Sequence, residues 1–140
     1  MSFLDGIVKC WTVYGSSYLA GAGRTLLISF VGTVVGCLIG FIVGIIQTIP
    51  TDKNDPLPKR IILAIVKTIM KIYVEVFRGT PMIVQAVFIY YGIRLAFGLN
   101  MSMWAAAFFI VSINTGAYMA ETVRGGILSI DSGQTEGAKA

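Results

Sequence analysis

Three polar residues share one face of a long apolar segment near the end of the chain. Asn114, Tyr118 and Glu121 stand at positions i, i+4 and i+7. Polar groups on an apolar helix usually face a bundle interior or a polar path, so a contact with a polar solute is one interpretation. Two alternatives stay open: Asn114 could serve packing, and Glu121 could reach water or pair with Arg124.

The residues needed for catalysis are not assembled. The chain has no His and only seven Asp and Glu residues, so no nucleophile, base and acid can be grouped. No glycine-rich phosphate loop occurs, and the two cysteines, Cys10 and Cys37, form no metal-ligand cluster. We therefore expect neither enzymatic activity, nor a metal site, nor ATP binding by this chain.

The composition indicates a membrane protein. Of 140 residues 56% are hydrophobic and 13% charged, with a mean hydropathy of +0.79, whereas soluble domains carry about 25% charged residues. The net charge is +4, but the basic residues stand beside apolar runs, which favours lipid headgroups over nucleic acid. The predicted fold class is all-α, a polytopic membrane helix bundle.

Three apolar segments predict membrane-spanning helices, at about 25–49, 82–99 and 102–120. Residues 1–20 are rich in Trp and Tyr, which favours a membrane interface. Lys53, Lys59 and Arg60, in and just after the loop at 50–58, predict a cytoplasmic side, which places the N-terminus outside. Glycines recur every fourth residue in the first span and predict a groove for close helix packing: Gly32, Gly36, Gly40 and Gly44.

The segment 61–77 predicts an amphipathic helix lying in the membrane interface. Lys67, Lys71 and Glu75 form a charged stripe opposite apolar residues. The alternative is a crossing helix whose charges line a seam within the protein. If this segment also crossed the membrane, the basic residues before it and those after the third span, Arg124 and Lys139, could not both lie in the cytoplasm. This argument favours the interfacial helix. In the following span we expect Gln85 to make an interhelical hydrogen bond rather than a ligand contact.

The last segment, 121–140, predicts a cytoplasmic helix after a break at Gly125 and Gly126. Asp131 is suited to cap that helix, with Gln134 three residues further on. Its small side chains suit docking into a partner's groove, and an ordinary frayed tail is the open alternative.

Three stretches resemble a known family: GAGRTLLIS (21–29), EVFRGTPMIVQAVFIYYG (75–92) and NTGAYMAETVRGGILSIDSGQTEGAKA (114–140). They look like the permease subunit of ATP-binding cassette (ABC) importers for polar amino acids. The resemblance implies that a Glu-Ala-Ala coupling helix docks into the ATPase subunit. The matching positions in this chain are Gly133, Gln134, Glu136, Gly137, Ala138 and Lys139, with Gly137 at the family's middle Ala.

The resemblance further implies the partners and the location. These are an ABC ATPase subunit that holds ATP and Mg²⁺, a second permease subunit, an extracytoplasmic amino acid binding protein and the bacterial plasma membrane. Family members continue with about two more spans after the signature, so we expect this chain to be a fragment. A membrane interaction or assembly protein that does not transport is the alternative function.

Overall fold

Four long helices make up most of the described part of the chain. The structure is a computed structural model that describes residues 3–52, 55–130, 134 and 137. In chain order the helices are α1 (Phe3–Thr48), α2 (Leu57–Gly79), α3 (Met82–Phe97) and α4 (Met103–Leu128). No strand occurs within the described ranges, in agreement with the predicted all-α class.

Helix α1 is longer than the sequence predicted. It begins at Phe3, ahead of the predicted span that starts near residue 25, so the aromatic residues of the first 20 positions belong to the same helix. No proline precedes Pro50, and isolated glycines are tolerated in a long apolar helix. Its 46 residues reach about 69 Å at ~1.5 Å per residue. The helix ends at Thr48, because a residue that precedes a proline, here Ile49, disfavours the helical region.

The glycine face of α1 lies against α4. Gly32, Gly36, Gly40 and Gly44 are all buried. A Cβ added at Gly32 would lie 2.5 Å from the Val111 side chain, and one at Gly44 would lie 2.8 Å from the Ala120 carbonyl oxygen and from Val123. Rising residue numbers on α1 thus meet rising numbers on α4, so the two helices run in the same direction.

Helix α2 packs against both of these helices. Its Val74 is 4% exposed and forms a small core with Val43 of α1 and Ala120 of α4. Ile62, Ile65, Ile69 and Ile72 remain exposed on its other side.

The break between α2 and α3 is short. Thr80 and Pro81 adopt extended backbone conformations between the two helices. Helix α3 ends at Gly98, whose φ of 66° is a left-handed conformation that glycine adopts without steric cost. The Gly98 N–H donates to the Arg94 carbonyl, which caps the last turn.

Helix α4 does not break where the sequence predicted. Ser102 caps its N-terminus by accepting a hydrogen bond from the Ala105 N–H. The helix then runs without interruption through Gly125 and Gly126 to Leu128, so the predicted break at the two glycines is wrong. Glycine lowers helix stability by about 1 kcal/mol per residue, which two residues inside a long helix can absorb.

Two of the four helices, α1 and α4, are long and apolar enough to cross a bilayer, and α3 is a shorter apolar helix. The positions of the predicted spans relative to a bilayer stay predictions.

Candidate polar site at the helix break

The break between α2 and α3 exposes backbone groups that an uninterrupted helix would pair. Gln85, in the first turn of α3, occupies the space beside it and is 7% exposed. Its Nε2 donates hydrogen bonds to the Phe77 carbonyl (2.9 Å), the Thr80 carbonyl (2.9 Å) and the Thr80 Oγ1 (2.8 Å). One side chain therefore satisfies two of the carbonyls that the break leaves free.

Helix α4 reaches the same junction through Asn114. Its Nδ2 donates to the Gln85 Oε1 at 3.1 Å and, more weakly, to the Phe77 carbonyl at 3.4 Å. The interhelical hydrogen bond predicted for Gln85 is confirmed. The amide of Asn114 is engaged by protein groups, which favours its packing interpretation in this conformation.

Tyr73 makes a second polar contact between α2 and α4. Its hydroxyl donates to the Ile113 carbonyl at 2.6 Å. The ring of Tyr73 also packs at the edge of the Val43, Val74 and Ala120 core. Together with the Gln85 and Asn114 contacts, this bond fixes the end of α2 against one stretch of α4.

An ionic cluster follows one to two turns further along α4. The Glu121 carboxylate accepts hydrogen bonds from Arg124 at 2.6 and 3.2 Å and lies 3.7 Å from the Arg78 guanidinium. The Arg78 guanidinium carbon also lies 5.7 Å from the centre of the Tyr118 ring, within cation–π range. Hydrogen bonding by Arg124, aided by the charges of Arg124 and Arg78, lowers the pKa of Glu121 against the opposing effect of desolvation.

A cleft of about 480 Å³ opens beside this cluster, between α1, α2 and α4. Gln47 and Val74 are on its wall. The wall also carries six charged residues: Lys67, Lys71, Glu75, Arg78, Glu121 and Arg124.

The charged stripe of α2 therefore faces a cleft within the protein. This arrangement agrees with the alternative prediction, in which the charges line a seam between helices. Lys71 and Glu75 form an exposed ion pair at 3.6 Å, and the Lys67 ammonium donates to the Ile49 carbonyl at the end of α1. A helix in the membrane interface could also direct these charges into a cleft, so the placement of α2 relative to a bilayer stays a prediction.

The predicted path residues lie together, whereas most of the predicted coupling residues lie outside the described part. Asn114, Tyr118 and Glu121 all face the C-terminal end of α2 through the contacts above. Gln134 and Gly137 are helical and exposed. The other coupling residues lie outside the described residues: Gly133, Glu136, Ala138 and Lys139.

The sequence analysis missed Thr80 and the pairing of Arg78 with Glu121. A sequence signal for the Thr80 contact exists, because Gln85 follows Pro81 by one helical turn and can reach back to the residue before the proline. Arg78 and Glu121 stand 43 positions apart in the sequence, so no local pattern indicates their pairing. Among the described residues no group of three or more His, Cys, Asp or Glu could hold a metal ion.

Comparison with known proteins places this arrangement in a family. The model of binding-protein-dependent transport system inner membrane components matches residues 61–140. The chain is 36% identical over 119 residues to the glutamine transport system permease protein GlnP of Escherichia coli, covering 84% of this chain and 49% of that protein. It is 35% identical over 122 residues to the arginine transport system permease protein ArtQ of Bacillus subtilis, covering 87% and 50%.

The fold is shared with a solved structure. A crystal structure of an amino acid ABC transporter with histidines superposes with a TM-score of 0.76 at 31% identity, covering 99% of this chain and 56% of that one. The chain spans about half the length of the curated relatives it matches. The match over residues 61–140 and the shared fold lead to one assignment: the chain belongs to the family of binding-protein-dependent transport system inner membrane components.

Proposed function

We propose that this chain is a permease subunit of an ABC importer for polar amino acids. In this role it forms part of the translocation path and couples that path to a separate ATPase. Relatives named as glutamine and arginine permeases support the substrate class. Because the chain spans about half of these relatives, the activity of the whole assembly is part of the proposal.

The observation that carries the proposal is the polar junction at the break between α2 and α3. Interrupted helices in transporters leave backbone carbonyls available to polar solutes and ions. Here the carbonyls of Phe77 and Thr80 are held by Gln85, which Asn114 supports from α4. Side-chain amides can exchange partners, so a bound amino acid could replace these contacts during transport.

Tyr118 and Glu121 would extend the path from the junction towards the end of α4. Their partner Arg78 comes from the last turn of α2, next to the break. A movement at the break would therefore change the charge cluster as well. This coupling gives Asn114, Tyr118 and Glu121 a role in solute passage beyond packing.

The partners follow from the proposed role. An ABC ATPase subunit would hold ATP and Mg²⁺ and perform the hydrolysis, so this chain would not be the enzyme. The coupling residues, centred on Glu136 and Gly137, would dock into that subunit. A second permease subunit and an extracytoplasmic amino acid binding protein would complete the importer.

The proposed location is the bacterial plasma membrane, with the N-terminus outside and the coupling segment in the cytoplasm. The common direction of α1 and α4, seen in the Gly32 and Gly44 contacts, supports this arrangement because both helices would then descend to the cytoplasmic side. Lys59 and Arg60 in the first turn of α2 and Arg124 near the end of α4 fit the same orientation.

Co-purification with the ATPase tests the proposed role. We would express the tagged protein together with an amino acid importer ATPase subunit of the same bacterium and measure how much ATPase is recovered. We expect recovery with the natural sequence and a loss of at least about tenfold with Glu136→Lys, since a reversed charge in a docking helix opposes association.

Glu75→Lys is the matched control, because it makes the same change at an exposed position of α2. Equal recovery in both variants would contradict the role of residue 136. Failure of the natural sequence to recover any ATPase would contradict the permease proposal and favour the interaction protein.

A further inference from the structure

We propose that the cleft between α1, α2 and α4 binds a phosphate group, supplied by the headgroup of an anionic lipid. The cleft lies beside the junction at Gln85 and shares Arg78 and Glu121 with the charge cluster of the proposed path, whereas Gln47, Lys67 and Lys71 belong to the cleft alone. Phosphate binding there requires neither transport nor an ATPase, so its test is independent of the proposed function.

The wall of the cleft carries an excess of positive charge. Its four cations, Lys67, Lys71, Arg78 and Arg124, outnumber its two carboxylates, Glu75 and Glu121. Both carboxylates already have cationic partners, Lys71 at 3.6 Å and Arg124 at 2.6 Å. A ligand with negative charge would balance the remaining excess. Phosphate suits such a wall because guanidinium and ammonium groups donate several hydrogen bonds to its oxygens.

Gln47 adds a neutral donor to the same wall. Its Nε2 is buried and has no hydrogen-bond partner among the described residues. A buried N–H group without an acceptor is unfavourable, and a phosphate oxygen in the cleft could accept from it. The donor comes from α1, whereas the cations come from α2 and α4, so three helices contribute to the proposed site.

The surroundings favour a lipid as the source of the phosphate. Helices α1 and α4, which border the cleft together with α2, are long and apolar enough to cross a bilayer. Acyl chains can lie along the apolar surface of these helices while the headgroup enters the polar cleft. A volume of about 480 Å³ lies within the usual range of small-molecule sites. Basic clusters beside apolar helices commonly recognise anionic headgroups.

Lipid retention by the purified chain tests the site. We would measure binding of phosphatidylglycerol and of phosphatidylcholine to the chain in detergent by native mass spectrometry. The double variant Lys67→Gln/Lys71→Gln removes two cations from the cleft, and Lys59→Gln/Arg60→Gln removes two from the exposed start of the same helix. We expect the cleft variant to bind phosphatidylglycerol about tenfold more weakly, the effect of one lost charge-assisted hydrogen bond. The control should stay within about twofold.

The charge-retaining variant Lys67→Arg/Lys71→Arg checks folding and should bind phosphatidylglycerol as the natural sequence does. Equal weakening in the cleft and control variants would show general attraction to the basic surface and overturn the proposal, as would unchanged binding in both. Inorganic phosphate serves as a separate probe. If it binds with the same dependence on the cleft lysines and phosphatidylglycerol does not, the phosphate site stands and the headgroup source is overturned.

Discussion

The side-chain amide of Asn114 on α4 donates a hydrogen bond of 3.1 Å to the Gln85 side-chain oxygen on α3. The Gln85 nitrogen in turn holds the carbonyls of Phe77 and Thr80, at the end of α2 and in the break. This pair therefore joins three helices at the one interruption between α2 and α3.

Removing the Asn114 amide should destabilise the fold. We expect Asn114→Ala to lower the free energy of unfolding by about 1–3 kcal/mol, because the buried Gln85 oxygen loses its donor. Thermal unfolding in detergent measures the change. The control is Asn100→Ala, the same substitution in the exposed turn before α4. An equal melting temperature for the two variants would contradict the importance of this pair.

Adding a methyl group to the glycine face should separate α1 from α4. A Cβ at Gly40 would lie 2.5 Å from the Gly116 carbonyl oxygen and from the Met119 Cβ. We expect Gly40→Ala to destabilise the fold by about 1–3 kcal/mol through overpacking. Gly23→Ala on the same helix meets no atom within 4 Å and should cause no loss of stability. Similar melting temperatures for both variants would show that the contact is loose.

The ion pairs of Glu121 should make stability depend on pH. Hydrogen bonding by Arg124 lowers the pKa of Glu121 from its ordinary 4.5. The pairs therefore stabilise the fold above that ordinary value, and the stabilisation is lost as the pH falls through the lowered pKa.

Glu121→Gln tests this pH dependence by melting experiments from neutral to acidic pH. We expect the variant to melt below the natural sequence at neutral pH and the difference to disappear in acid. Glu75→Gln is the control, since its exposed pair with Lys71 should contribute little. A difference between the natural sequence and Glu121→Gln that stays constant over this range would show that the charge of Glu121 contributes nothing.

The hydroxyl of Tyr73 should contribute to the docking of α2 on α4. We expect Tyr73→Phe to lower the free energy of unfolding by about 0.5–1.5 kcal/mol, because it removes the 2.6 Å hydrogen bond to the Ile113 carbonyl and leaves the ring in place. The same substitution at the exposed Tyr18 is the control. Hydrogen exchange at the end of α2 would locate the effect, and unchanged protection there would refute it.

Local patterns predicted the helical class and the glycine repeat, because both are periodic in sequence. The hydrogen bond of Gln85 was also predictable, since a lone amide in an apolar helix requires a partner. The start of α1 at Phe3 was not, because polar and aromatic residues are compatible with both a helix and an interfacial segment.

Contacts between distant residues explain the other differences. The pairing of Arg78 with Glu121 depends on how α2 crosses α4, and no periodicity within either helix carries that information. The continuation of α4 through Gly125 and Gly126 also overrides a local signal, because a long helix can tolerate two glycines that would end a short one.

Uptake in proteoliposomes tests the central claim most directly. A permease that contains this chain would be reconstituted with its ATPase and binding protein partners, and the ATP-dependent uptake of labelled polar amino acids would be measured. The account predicts uptake of at least one of them by the natural sequence. It also predicts that uptake falls by about tenfold or more in Asn114→Ala and in Glu121→Gln, because each variant loses a polar contact to the solute. Asn100→Ala is the control and should keep its uptake. Full uptake by both path variants would contradict the proposed path, and no ATP-dependent uptake by the natural sequence would contradict the importer itself.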